Sequence, residues 1–371
     1  MTADESELRE LRASVREFLE AKSPEEVVRK LMESEPRFDP AVWSQAADQL
    51  RLPGLAIPEE YGGDGFGLVE LGVVLEEMGR ALFCAPFFAT VLLAAQALLA
   101  SGDRDACAHF LPDIASGRTT ATLAVAEDHG SWDPAMVSAR AVPDGDGGWT
   151  VRGRKCFVID GTTADLILVV ARTVAGPTLF AVERDATGLA AEPMETLDAT
   201  RAMARLTFDA VPATLVGAEG AGGRVMAKVL DIASVGLAAE QAGGARRCLE
   251  TSADYARVRH QFGRPIGSFQ AVKHKCADML VQVELAEAAS REAARLADEN
   301  SPDFPVAAAV AHACCSRAYM TAAMENIQVH GGIGFTWEHP AHLYFRRAKS
   351  SQLLFGGPAV YHERLLDRLG I

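Results

Sequence analysis

Past Gly223 the chain carries three long alanine-rich stretches, residues 225–258, 270–299 and 306–329, that favour helix throughout. Their stripes of small residues let helix axes approach closely, so the stretches predict a bundle. The first third is helical as well. Leu8, Leu11, Val15 and Phe18 recur at helical spacing. Ser23-Pro24-Glu25-Glu26 offers a cap residue, a proline at the first position and acids in the first turn. After a Gly-rich turn at residues 55–65, the helical pattern runs over 68–99. Between these regions, residues 119–216 are rich in Thr, Val and Gly in short alternating runs, such as 149–152 and 166–170. Asp144-Gly145-Asp146-Gly147-Gly148 reads as a hairpin turn between two of them. The expected fold is therefore mainly α with a central β-domain. It comprises an N-terminal helical domain (1–117), an antiparallel β-barrel or sandwich (118–223) and a C-terminal helical bundle (224–371).

With 371 residues, 49% of them hydrophobic, the chain can bury a substantial core. A net charge of −14 argues against a nucleic-acid surface but leaves room for a local basic pocket. No apolar run reaches bilayer length; the longest, Ala89–Ala100, is too short. The start, Met1-Thr2-Ala3-Asp4-Glu5-Ser6-Glu7, is acidic and polar, unlike a secretory signal. The seven cysteines form no C-x-x-C pair and no metal spacing, which fits reduced thiols in a cytoplasmic protein.

Arg259-His260-Gln261-Phe262-Gly263-Arg264-Pro265-Ile266-Gly267 interrupts two of the helical stretches, followed by Ser268, Phe269 and Gln270. A bare connector needs one breaker and a few polar residues. Two arginines flanking a phenylalanine suggest a flat, phosphate-bearing ligand, with guanidinium on phosphate and ring on base.

This order of regions, and three motifs within it, resemble the acyl-CoA dehydrogenase family of flavoproteins. Ile57-Pro58-Glu59-Glu60-Tyr61-Gly62-Gly63 is similar to the family's Pro-Glu-Glu-Tyr-Gly-Gly segment. Arg259-His260-Gln261-Phe262-Gly263 with Phe269-Gln270 is similar to its Arg-x-x-Phe-Gly signature, and Gln328-Val329-His330-Gly331-Gly332-Ile333-Gly334 to its Gln-x-x-Gly-Gly-x-Gly segment. The resemblance covers nearly the whole chain. It implies a C-terminal four-helix bundle, usual assembly as a tetramer, and FAD held across a subunit interface. In that scheme Arg259, Phe262 and Gln270 hold the adenine-pyrophosphate end. Gln328, Gly331 and Gly332 approach the same FAD from the adjacent protomer.

The family's reaction removes the α-proton of an acyl-CoA thioester while a hydride leaves Cβ for the flavin, so it needs a carboxylate base. At the position where most members carry this Glu, the ungapped count gives Phe355, and a shift of one gives Gly356. At the minority position, at the start of the first bundle helix, stands Ala233. Glu240 lies seven residues on, nearly two turns, on nearly the same face and among Ala and Gly. Burial there would raise its pKa and suit a base, whereas pairing with Arg246 or Arg247 would make it structural. His330, in the Gly-Gly segment, ranks below it, Glu338 reads as a cap for the next turn, and residues 361–364 read as a solvated face. In the β-domain, Ala126-Glu127-Asp128-His129-Gly130-Ser131 and Phe157-Val158-Ile159-Asp160 stand where members carry flavin-facing threonines; both hydroxyls are missing.

Three functions stay open. The chain is an active dehydrogenase using Glu240 on a bulky acyl-CoA, similar to actinobacterial members acting on steroid side-chain or lipid thioesters. Alternatively it is a non-catalytic or half-site subunit of a heteromeric enzyme. The third is other flavin chemistry on the same fold. The resemblance implies a homotetramer or an α2β2 heterotetramer with a second such chain, and electron-transfer flavoprotein as the electron acceptor.

Overall fold

The computed structural model describes residues 4–145 and 147–371. Asp146, at the centre of the expected hairpin turn, and residues 1–3 of the acidic start lie outside the described residues. The chain divides into two compact units. One comprises Leu31–Phe66 and Cys84–Ala233; the other comprises residues 4–30, Gly67–Phe83 and Ser234–Ile371.

The first unit is built on a sheet. Its strands are β1 (Ala121–Ala124), β2 (Arg140–Pro143), β3 (Trp149–Ile159), β4 (Leu166–Thr173), β5 (Gly176–Glu183), β6 (Leu189–Pro193) and β7 (Met203–Val216). Neighbours run β1-β4-β2-β3-β7-β5, and β5 pairs back onto β4, which closes the ring into a barrel. Pairing is antiparallel except for β1 on β4 and a single β2–β4 contact. Leu166 to Val170 are all buried, so β4 reads as a continuous apolar run and not as an alternation.

The same unit carries α3 (Pro40–Leu50) and α6 (Arg104–Ala115). The helix expected over 68–99 is broken. α4 (Leu68–Ala81) ends at Leu82, whose φ is 50°, and the chain resumes as a π-helical segment, Phe88–Ala94, continuing into α5 (Ala95–Ser101). Pro86 explains the gap, because a proline has no N–H for the preceding turn and disfavours helix at the residue before it. The π-helix is pinned to the sheet where Thr90 Oγ1 donates to the Ala121 carbonyl and accepts from the Ala121 N–H.

The second unit is helical. α1 (Glu5–Lys22) opens on a capping box, in which the Asp4 carboxylate accepts from the Glu7 N–H and the Glu7 carboxylate accepts from the Asp4 N–H. The first unit's chain leads into α7 (Gly222–Val258), whose part from Ser234 onward packs with α8 (Gln270–Asp298), α9 (Phe304–His330), α10 (Ala341–Leu353) and α11 (Pro358–Leu369). α4 crosses α7 closely. A Cβ on Gly79 would overlap the Glu240 carbonyl, and one on Gly243 would overlap the Glu76 carbonyl. Glycine at both contacts lets the two backbones touch.

Candidate functional site

α7 ends at the expected elbow, which folds as a two-stranded hairpin of β8 (His260–Gln261) and β9 (Arg264–Pro265). The Ile266 N–H donates to the Arg259 carbonyl at 2.8 Å and closes it. Phe262 and Gly263 occupy the turn with φ of 52° and 78°. Glycine takes that conformation freely, but for a phenylalanine it costs about 1–2 kcal/mol. The ring so held is 91% exposed. Its only ring partner among the described residues is Phe269, edge-on at 6.0 Å, and Arg264 stacks over Phe269 at 4.0 Å. The Arg259 side chain is exposed and meets no carboxylate among the described residues; Gln270 is exposed at the start of α8.

The Gly-Gly segment follows α9. Gln328 is exposed on the last turn, and Gly331 turns the chain with φ of 64°. A Cβ on Gly331 or Gly332 would meet nothing within 4 Å. At Gly332, neither the backbone conformation nor the packing of this chain requires a glycine, so any such requirement comes from a molecule outside the chain. His330 roots the segment. Its Nδ1 lies 2.8 Å from the Asn326 carbonyl, and its ring stacks on Tyr255 at 4.4 Å. Burial lowers its pKa, outweighing the bond to Asn326, so the ring is neutral at pH 7. Tyr255 stands one turn before Arg259. The stack thus links the end of α7 to the root of the Gly-Gly segment within one chain.

The residues present fit FAD. They supply an unpaired guanidinium, an aromatic face held out to solvent, exposed amides and glycine backbone free for close approach. FAD, when bound, supplies the hydride acceptor. Arg259 would hold the pyrophosphate charge, Phe262 would lie on the adenine, and Gln270 and Gln328 would hydrogen-bond beside them.

The candidate base presents a different picture. Glu240 lies inside the helical unit, where the Arg347 Nη1 donates to its Oε1 at 2.7 Å; the two side chains are 6% and 4% exposed. Its neighbours in sequence look elsewhere, Arg246 pairing with Glu284 and Glu287 on α8. Of the positions aligned with the family's base, Phe355 is 1% exposed with φ of 63°, and Ala233 is buried. Neither can take a proton. Tyr361 is buried too, its hydroxyl 2.9 Å from Ser234 Oγ, so the expected solvated face of the last helix begins only at His362.

In the sheet unit, Glu127 is buried and holds together one end of the barrel. It accepts from the Ser138 and Ala139 N–H groups and from Lys155 Nζ at 3.0 Å. Burial raises its pKa, but the bonds from Ser138 and Ala139 and the Lys155 charge outweigh this and bring it down to about 2. Lys155 is fully buried, and that burial brings it down to about 8 in spite of Glu127. Phe157 sits at a bulge with φ of 57°, and Ile159, where the family resemblance places a flavin-facing threonine, is buried. Sequence reasoning missed Arg347 and the Tyr255–His330 stack. Arg347 had a signal, one arginine of a basic run on a helix otherwise apolar toward the bundle.

Family models for acyl-CoA dehydrogenases match along the chain: the N-terminal domain over residues 5–118, the middle domain over 122–211 and the C-terminal domain over 220–370. The acyl-CoA dehydrogenase IpdE2 of Mycobacterium tuberculosis is 36% identical over 96% of this chain and 95% of its own length. Among solved structures, a variant of the Tcur3481-Tcur3483 steroid ACAD matches with a TM-score of 0.89 and 36% identity, covering 98% of each chain. The ChsE4-ChsE5 complex from Mycobacterium tuberculosis matches with a TM-score of 0.89 and 30% identity, covering 99% of this chain and 98% of that one. The chain belongs to the acyl-CoA dehydrogenase family, flavoprotein oxidoreductases that dehydrogenate acyl-CoA thioesters.

Proposed function

We propose that this chain is the FAD-holding, baseless subunit of a two-chain acyl-CoA dehydrogenase, an α2β2 heterotetramer whose second chain supplies the α-proton base. The observation that carries this reading is the chemistry at the base positions. Phe355 and Ala233 are apolar and buried, and the candidate acid, Glu240, is paired with Arg347 inside the helical unit. A carboxylate whose oxygen is taken at 2.7 Å by a guanidinium is engaged in an ion pair and not offered to a thioester. The elbow and the Gly-Gly segment nevertheless keep the groups a flavin needs. Two of the similar structures, Tcur3481-Tcur3483 and ChsE4-ChsE5, are two-chain assemblies, and the first is a steroid enzyme. We extend both properties to this chain: a partner chain of the same family, and a bulky acyl-CoA, steroid- or lipid-derived. Electron-transfer flavoprotein is the proposed electron acceptor. Seven free cysteines support a reducing, cytoplasmic setting.

The test is the flavin content of the chain purified alone and after co-expression with the product of a neighbouring gene of the same family. Little flavin alone, and stoichiometric flavin bleached anaerobically by an acyl-CoA in the complex, is the expected result. A yellow chain that alone is bleached by acyl-CoA would sink the proposal. It would restore Glu240 as base if Glu240→Gln then abolished bleaching without loss of flavin.

A further inference from the structure

A cavity of about 350 Å³ opens in the helical unit, and none of the residues proposed to meet FAD lines it. Its inner wall includes Arg247 and Thr251 of α7, Asn326 of α9, His339, and Tyr344 of α10. The volume is at the lower end of the range that small-molecule sites occupy. Nothing in the proposed dehydrogenase reading uses it.

The arginines around it are matched with acids, with one departure. Arg16 meets Glu77 and Arg80 meets Glu250. Arg247 is half-buried and has no carboxylate within salt-bridge distance among the described residues. Its guanidinium reaches the Tyr344 hydroxyl, which donates its own hydrogen onward to the Arg80 carbonyl at 2.7 Å. A partly desolvated guanidinium facing only a phenol oxygen retains most of its capacity for an anion.

Beside it, Asn326 is engaged: its Oδ1 is taken by the hydroxyls of Thr251 at 3.2 Å and Ser252 at 2.9 Å, and its side chain also bonds the buried Cys248 thiol. Burial lowers the His339 pKa, so the ring is neutral, and its Nδ1 accepts from the Ala341 N–H at 3.2 Å. The proton is then on Nε2, a donor beside Arg247. The acids that also line the cavity are accounted for. Glu77 is bound by Arg12 and Arg16, and Glu20 and Glu25 are exposed at the rim, Glu25 in a pair with Arg29.

We infer that this cavity is a binding site for a small oxyanion, a carboxylate- or phosphate-bearing metabolite, with Arg247 as the charged anchor and His339 as the flanking donor. The site is rooted on the same residues as the Gly-Gly segment. His339 packs against His330 at 4.2 Å, and His330 immediately precedes Gly331. Occupancy would therefore be felt at the segment proposed to meet FAD.

Isothermal titration calorimetry of the purified chain, or of its complex, tests this with inorganic phosphate and with acetate at ionic strength fixed by chloride. Saturable binding of at least one probe, with a dissociation constant on the order of 1 mM or tighter, is expected. Phosphate alone points to a phosphorylated ligand, acetate alone to a carboxylate, and both to a shared oxyanion subsite. Arg247→Met should weaken binding about tenfold or more, as loss of a charged hydrogen bond does. His339→Phe keeps the ring, removes the N–H and should weaken binding too, which covers the case of an unfolded Arg247 variant. No saturable heat with either probe, or affinity unchanged in both cavity variants, overturns the proposal.

Discussion

Glu240 and Arg347 show how far a residue's surroundings decide its chemistry. On α7 alone, an acid among alanines and glycines reads as a desolvated base. The side chain that pairs with it arrives from α10, 107 positions along the chain, and local periodicity cannot announce it. Removing one partner of a buried pair leaves the other uncompensated, so Arg347→Met should cost about 3–5 kcal/mol, read as a fall in the urea midpoint. Glu240→Gln keeps shape and hydrogen-bonding and should cost less. If the pair is structural, Glu240→Gln in the two-chain complex lowers the thermal midpoint and leaves the rate of flavin reduction by acyl-CoA within a few-fold. A drop of orders of magnitude with an unchanged midpoint would show a catalytic base. Glu127 makes a pH prediction at the same scale. Its carboxyl titrates near 4.5 when free and about 2 in the fold. Its contribution is therefore complete above pH 4.5 and is lost as pH falls from there toward 2. The acid limb of stability over that window should flatten in Glu127→Gln, measured by urea unfolding across pH.

The elements of the helical unit are held by small residues and by a buried polar seam. Ser234, Gln241 and Cys248 recur every seven residues on α7; His312, Tyr319 and Asn326 do so on α9, and all six are buried. The two helices meet through Ser252 on Asn326 and Tyr255 on His330, and a Cβ on Gly244 would run into the Tyr319 ring. Seven-residue spacing keeps one stripe of each helix facing its neighbour, so the seam is visible in sequence once the helices are drawn, although its polarity runs against the usual apolar stripe. Gln241 is fully buried with neither end of its amide hydrogen-bonded among the described residues. Gln241→Met should raise stability by about 1 kcal/mol, because an unsatisfied buried amide costs about 1–3 kcal/mol. A lower urea midpoint in that variant would mean the amide is satisfied. The α4–α7 crossing makes the opposite prediction. Gly243→Ala would drive a methyl into the Glu76 carbonyl and should destabilise by about 1–3 kcal/mol, as overpacking does. That glycine pair is written in the sequence only as two ordinary glycines, since close approach is a property of both helices together.

At the scale of the whole molecule, the order of helical and strand regions was legible because their periodicities differ, about 3.6 against 2. The Arg259–Gln270 elbow was legible because glycine, proline and two arginines gather in one break between helices. The interruption of the 68–99 helix was present in Pro86 but outvoted by the hydrophobic residues around it. The conformation of Phe262 had no signal at all, since nothing in a phenylalanine announces a left-handed turn. That residue separates the two demands on the elbow. Holding a bulky side chain at φ of 52° costs stability and shows a ring to solvent, which serves no purpose within the chain. Asparagine tolerates the left-handed region far better. Phe262→Asn should therefore leave the flavin-free protein as stable as the parent or more stable by up to about 1 kcal/mol. In the two-chain complex the same change should weaken flavin retention about fivefold to more than tenfold, the loss expected for one stacked base. Thermal unfolding of the stripped protein and flavin loss on dilution of the complex measure the two effects separately. A variant that loses stability and keeps its flavin would place the ring in packing and remove it from the cofactor site.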